Sequence, residues 1–269
     1  MNTRQAHIAF WFAILTLAAC GDPSDPSRIA PPSFAVGGVG RPVVLVNPNM
    51  KGSGTATTIQ EGIDMVDRGG KVLVLPGTYD EAIVIDKGLT LEGLGGESGP
   101  VVVSPSGTVG AAIHVATPDP VTATGIVNIA GNTIRNSSAS CLASTAINYE
   151  FYTGRIERNR IVNVVQDCAA STPRNLQGAI WVGSLRGFPP AAPAVRFNDL
   201  VGNAHAGLRI GANQSAALDA SCNWWGSPSG PSGAGTGTGD AVVVEAGATT
   251  PVMTPFATAP IAGTDATGC

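Results

Sequence analysis

Charge is scarce in this sequence. Of 269 residues only 34 are charged, 15 Lys+Arg and 19 Asp+Glu, or 13%, where soluble domains average roughly 25%. With a formal net charge of −4 there is no broad positive field to collect phosphates, which argues against a nucleic-acid partner. Histidine is limited to His7, His114 and His205, scattered along the chain. With no Cys-x-x-Cys pair, the usual spacings of a zinc site are missing and no metal or other cofactor is expected. Phosphate loops, dinucleotide fingerprints and a serine nucleophile elbow are also missing. What is abundant is glycine, 35 residues, and proline, 20, in a chain that is 43% hydrophobic. Such a chain can bury a sizeable core.

Residues 1 to 20, MNTRQAHIAFWFAILTLAAC, place Arg4 ahead of an apolar run from Ile8 to Ala19. That run is too short to cross a ~30 Å hydrocarbon core as a helix and reads as an export signal. Leu17-Ala18-Ala19-Cys20 resembles the lipobox of bacterial lipoproteins, in which the cysteine thiol receives the lipid after cleavage. The resemblance implies a signal peptide over 1–19, a lipidated tether over 20–40 rich in Pro, Ser and Gly, and a folded domain over 41–269. It implies an anchor in a bacterial membrane, the outer membrane or cell surface rather than the inner membrane.

Four further cysteines follow: Cys141, Cys168, Cys222 and Cys269. In an exported chain an even count reads as disulfides. Three pairings can be drawn. The expected one joins Cys141 to Cys168, closing one repeat, and Cys222 to Cys269, pinning the carboxyl terminus.

Between Gly110 and Gly226 two features return together every 25 to 39 residues. One is a short alternating strand: Ala112-Ile113-His114-Val115, Ala146-Ile147-Asn148-Tyr149, Ala179-Ile180-Trp181-Val182 and Gly207-Leu208-Arg209-Ile210. The other is an asparagine followed two places later by a large apolar residue: Asn132-Thr133-Ile134, Asn159-Arg160-Ile161, Asn198-Asp199-Leu200 and Asn223-Trp224-Trp225. A further asparagine follows at Asn136, Asn163 and Asn203. Period-two alternation means strands with one inward face, so copies must stack to bury it. Equivalent side chains then form columns with a spacing of ~4.8 Å. Asparagine suits a column at a corner, because its amide both donates and accepts and its backbone tolerates the left-handed region. The four leading asparagines are therefore read as structural.

From Pro42 to Phe256 the chain resembles the right-handed parallel β-helix proteins of the pectate-lyase-like superfamily. The front, Thr58 to Asp67 followed by Lys71 to Tyr79 and Leu89 to Gly93, looks like that superfamily's capping helix and first turns. Ile59, Ile63 and Val66 supply one apolar helical face and Gly69-Gly70 its end. The back, Cys222-Asn223-Trp224-Trp225-Gly226-Ser227-Pro228-Ser229-Gly230-Pro231, is similar to the closing segment of secreted β-helix proteins, with Trp225 in a packing role. The implied fold is all-β: a single-stranded right-handed parallel β-helix, or solenoid, with an N-terminal capping helix.

That superfamily contains hydrolases, esterases, lyases and members without known activity, so chemistry has to be sought residue by residue. A polygalacturonase-like site would need paired carboxylates near a His-bearing turn. His205 has no Asp-Asp pair one repeat earlier. An esterase-like match at Gln166-Asp167 ends at Cys168. A calcium-assisted lyase acting on acidic glycans remains as the alternative, with Arg160 or Arg196 as base near Asp199. Calcium would be its cofactor. The leading expectation is noncatalytic. With Ile113, Ile147, Ile180 and Leu208 inward, His114, Asn148, Trp181 and Arg209 point out, an aromatic plate among polar groups that suits polysaccharide or another surface ligand. A covering role for the Ser184–Ala194 insertion, with Phe188 over Trp181, is the competing reading of that tryptophan. A second outward column is Thr133, Arg160, Asp199 and Trp224. The protein is expected to act as a monomer, and a purely structural envelope spacer is the third reading.

Overall fold

The computed structural model divides into two compact units, Met1–Val39 and Gly40–Cys269. It describes residues 41–50, 52, 54–96, 98–106, 109–117, 125–135, 142–164, 178–184, 188, 191–261 and 269, all in the second unit. Cys20, Cys141, Cys168 and Asn136 lie outside the described residues.

The described chain is mostly β-structure, with strands that return to the same three sheets in a fixed order. It opens with β1 (Val43–Val46), β2 (Thr55–Ala56), the helix α1 (Ile59–Met65), β3 (Lys71–Val74), β4 (Gly77–Tyr79) and β5 (Ile83–Ile85). Four further passes follow: β6 (Leu89–Gly93), β7 (Val101–Val103) and β8 (Val109–Val115); then β9 (Ile126–Ala130), β10 (Thr133–Arg135) and β11 (Leu142–Glu150). Next come β12 (Thr153–Glu157), β13 (Arg160–Val162) and β14 (Gly178–Gly183), then β15 (Ala192–Arg196), β16 (Asp199–Val201) and β17 (Leu208–Ile210). The chain then adds β18 (Pro231–Gly233) and β19 (Gly239–Val244).

In each of these passes the first strand joins one sheet, the second another and the third the last. Sheet A runs β15-β12-β9-β6-β3-β1-β2, sheet B β16-β13-β10-β7-β4, and sheet C β18-β19-β17-β14-β11-β8-β5. The pairings between named strands are parallel.

Register follows the apolar pattern. Ile113 pairs with Ile147, Ile147 with Ile180 and Ile180 with Leu208, and all four are fully buried. Val127, Ile129, Ile134, Ile156, Ile161, Val195 and Leu200 carry the same inward role in sheets A and B, and one apolar core takes side chains from all three sheets. Burial of alternate residues, such as the pattern in Ile83–Ile85, shows why parallel strands here need no helices on their outer faces. The inward faces cover one another.

The helix α1 is shorter than its apolar spacing implies. Val66, read from sequence as the third residue of the helical face, leaves it in extended backbone yet remains 2% exposed. Thr58 caps the helix by accepting from Glu61 N–H, and the Glu81 carboxylate accepts from Ile59 and Gln60 N–H at 2.7 and 2.9 Å. The Gln60 amide then does for β5 what a neighbouring strand would: Oε1 accepts from Val84 N–H at 2.8 Å and Nε2 donates to the Val84 carbonyl at 3.2 Å. An exposed strand edge invites pairing with another chain, and this contact occupies it.

Cys222 and Cys269 form a disulfide, one of the two bridges in the expected pairing. Trp225 is fully buried and Trp224 is 8% exposed, so both members of the pair are packed.

Candidate functional site

The short connection from sheet A to sheet B is built the same way at Asn132, Asn159 and Asn198, and Asn223 repeats the arrangement beyond the last strands of both sheets. Asn132, Asn159, Asn198 and Asn223 are each 1% exposed or less. The Oδ1 of Asn159 accepts both the main-chain N–H and the side-chain N–H of Asn132, at 3.1 and 3.2 Å. Asn198 receives the same two bonds from Asn159, at 3.0 and 3.2 Å, and Asn223 from Asn198, at 2.9 and 3.0 Å. Each amide spends a second hydrogen on a main-chain carbonyl of sheet A or the residue after it, as Asn159 does on Ile129 and Asn223 on Val195. The turn itself is made by the residue before the asparagine. Gly131, Arg158, Phe197 and Cys222 have φ of 69°, 54°, 56° and 60°, so left-handed tolerance of asparagine is not what the row uses. Only Asn163, with φ 49°, adopts that conformation among the described asparagines.

A second polar stack stands at the far end of sheet B. Asn203 Oδ1 accepts from Val164 N–H at 3.2 Å, and its Nδ2 donates to the Ile161 carbonyl and to Asp240 Oδ2. Asp240 also accepts from Gly202 and Asn203 N–H at 3.0 Å each. Burial pushes its carboxyl above the ordinary range, opposed by these donors.

The asparagine row stops at Asn132, and a cleft of about 630 Å³ opens there. Glu92 pairs with Ala130, so two residues on Leu94 stands where another asparagine would extend the row. Instead Leu94 N–H bonds to Val74, and the chain bulges through Gly96 and Gly99, which exchange hydrogen bonds at 3.0 and 2.9 Å. The bulge forms one wall. Arg158, Arg160, Phe197, Asp199, Pro260 and Ile261 form the other. Asn132 Oδ1, the free end of the row, has no hydrogen-bond partner among the described residues.

Two of the three residues read as a lyase set meet at this cleft. Arg160 pairs with Asp199 across sheet B, and Asp199 pairs with Trp224 beyond it, so the column Thr133, Arg160, Asp199, Trp224 is in register, but Asp199 and Trp224, read from sequence as outward, are buried. Asp199 is 6% exposed and its Oδ1 accepts from Ile261 N–H at 2.7 Å. Burial raises its carboxyl above the ordinary value, while the Ile261 N–H and Arg160 pull it down. Arg196 does not line the cleft. Its Nε lies 3.4 Å from Asp219 Oδ2, its Nη2 is 3.6 Å from Cys222 Sγ, and its guanidinium sits over the Phe197 ring.

The other column crosses sheet C. His114 pairs with Asn148, Asn148 with Trp181, and Trp181 with Arg209. His114 Nε2 lies 3.5 Å from Glu150 Oε1. Trp181 is half-buried, and its ring occupies the space that side chains at Gly183 and Gly211 would need. Two residues without side chains thus let the indole lie along the sheet. Phe188, the cover in the competing reading of this ring, packs edge-on against Phe151 at 5.9 Å. Arg209, read from sequence as outward, is only 9% exposed. Burial pulls its guanidinium below its usual value, opposed by Glu245.

His205 lies in a smaller recess with Asn203, Trp225 and Asp240, apart from either column. Among the described residues no group of three or more His, Cys, Asp or Glu side chains is placed to hold a metal ion, and no helix is long and apolar enough to cross a membrane. The chain matches no family model, no curated protein and no solved structure.

Proposed function

We propose that this chain is a lipid-anchored envelope protein whose domain is a right-handed parallel β-helix that binds polysaccharide or another surface ligand without cleaving it. The three-sheet strand order supports a solenoid, with successive passes as its turns and α1 as the cap on its first turn. Lipidation at Cys20, with signal 1–19 and tether 20–40, would hold the domain on the outer membrane or cell surface as a monomer. The observation that carries the binding reading is the Trp181 ring lying over Gly183 and Gly211 with Asn148 and Arg209 on the strands either side. A flat aromatic face next to an amide suits a sugar ring, and a row along a sheet suits a linear polymer.

The lyase reading has one observation in its favour, Arg160 beside Asp199. Against it, Arg196 is engaged with Asp219, and Asp199 is buried with its Oδ1 already accepting from Ile261 N–H, a poor arrangement for holding calcium.

Polygalacturonate, alginate and chondroitin, each with and without calcium, provide the test. Binding is expected without any rise in ultraviolet absorbance from unsaturated products, and Trp181→Ala should weaken it by about tenfold or more. A steady rise abolished by Arg160→Gln would overturn the noncatalytic reading, and undiminished binding by Trp181→Ala would remove the site.

A further inference from the structure

We infer that the outward face of sheet A at its first strands is a membrane-contact surface, resting on the lipid bilayer that carries the anchor proposed at Cys20. The patch is defined by register. Val43, Leu45 and Leu73 are outward members of β1 and β3 by their burial pattern, and Leu45 pairs with Leu73. Leu75 N–H bonds to the Val46 carbonyl and Leu94 N–H to the Val74 carbonyl, so these two leucines carry the outward alternation past the ends of β3 and β6. Val43 is 50% exposed and Leu94 38%, and the leucines between them are half-buried. Neighbours on one face of a sheet lie about 4.8 Å apart across the strands and about 6.6 Å along them, so these side chains make one continuous apolar surface. The loop after β1 extends it: Pro48 lies 3.5 Å from where a side chain at Gly77 would begin, and Met50 beyond it is 56% exposed.

Farther along sheet A the same outward columns hold Thr90, Asn128 and Arg155, and Glu92, Glu157 and Arg196. A solvated sheet face is polar in this way, whereas a continuous apolar patch marks contact with protein or membrane. Position decides between the two. The expected tether ends at Gly40 and β1 begins at Val43, so the strand that receives the anchoring segment is the strand that carries the patch. About 20 residues separate Cys20 from Arg41, a span of at most about 75 Å, which keeps the patch beside the bilayer at an effective concentration of about a millimolar. A modest affinity suffices there. Arg41 and Lys71, both exposed, flank Val43, and cations at the rim favour anionic headgroups. Because sheets A and C share one core, their outward faces point in different directions, and contact through sheet A leaves the Trp181 face open. The choice of a bilayer as occupant rests on the anchor reading at Cys20; the patch itself does not.

Flotation with vesicles of phosphatidylethanolamine and phosphatidylglycerol tests this, using residues 20–269 with Cys20→Ser, a chain without lipid of its own that keeps the whole compact unit Gly40–Cys269. Half of the protein should float at or below about 10 mM lipid. Val43→Glu combined with Leu94→Glu should raise the lipid required at least about tenfold. Ile126→Glu combined with Val252→Glu adds the same charge at exposed positions elsewhere and should change it by less than about twofold. Both combinations alter exposed side chains, so both should keep the parent's melting temperature. Lys71→Gln should weaken flotation with these vesicles and leave it unchanged with phosphatidylcholine alone. No flotation at about 10 mM lipid, or equal losses in the two combinations, would overturn the proposal. So would a parent dimer that Val43→Glu with Leu94→Glu dissociates, which would assign the patch to a second copy. The mass of the mature amino-terminal peptide reports lipidation separately: an unmodified Cys20 with patch-dependent flotation would remove the anchor and keep the contact, and a lipidated Cys20 without flotation would do the reverse.

Discussion

Asn198 places both its main-chain and its side-chain N–H on one oxygen, the Oδ1 of Asn223. The two residues are 25 positions apart in sequence and both are fully buried. A single side chain therefore satisfies two donors that would otherwise be stranded in the corner between sheets A and B.

Removing an inner member of that row should cost far more than removing its head. Asn198→Ala strands the N–H and amide of Asn159, each at about 1–3 kcal/mol, so a loss of roughly 3–5 kcal/mol is expected. Asn132→Ala strands no donor and should cost about 1–2 kcal/mol. Urea unfolding of the two variants against the parent makes the comparison, and equal losses would contradict the row's role.

Gly154 has φ 143°, and a side chain there would collide with the Val127 carbonyl oxygen, which Tyr149 Oη also contacts at 2.8 Å. Gly154→Ala should therefore cost more than about 4 kcal/mol or prevent folding. Gly96→Ala, in open space, should stay within about 0.5 kcal/mol of the parent. Thermal denaturation of both separates a steric requirement from a general intolerance of alanine.

Asp199 and Asp240 both have carboxyl values raised above 3.8 by burial. A raised acid binds its proton more tightly in the folded state than in the unfolded one, so its contribution is greatest when protonated. It declines as pH rises from about 3.8 through the folded-state value. Urea midpoints followed across that window should show Asp199→Asn falling less steeply than the parent, since an amide oxygen still accepts from Ile261. An unchanged slope would count against a raised Asp199.

The Cys222–Cys269 bond closes a loop with a sequence separation of 47, for which chain entropy gives about 4 kcal/mol. Cys269→Ser should lower stability by up to that amount, and a reducing agent should lower the parent's melting temperature further than the variant's. Equal responses to reductant would mean that this bond does not contribute.

The stacking was legible because two periods coincide. Alternation in Ile113–Val115, Ile147–Tyr149 and Ile180–Val182 marks inward faces, and Asn132, Asn159, Asn198 and Asn223 mark the corners at matching intervals. The left-handed corner residues were not legible: Gly131, Arg158, Phe197 and Cys222 share no chemistry, only a place. The cleft was hidden for a related reason. It exists because Leu94 interrupts a row, and because Ile261 reaches Asp199 across 62 positions, a contact no local pattern announces. Arg209 looked outward by alternation, as it is on its strand, but its burial depends on neighbours such as Glu245 that alternation does not describe.

The asparagine row has a direction. From Asn132 to Asn198 each side-chain amide gives a hydrogen to the oxygen of the next asparagine, so these small dipoles lie head to tail and reinforce one another as peptide dipoles do in a helix. The electronegative pole of that file is the bare oxygen of Asn132. Lengthening the file by one member, for example by Leu94→Asn, would thus move that pole one strand further along without changing a side chain that lines the cleft.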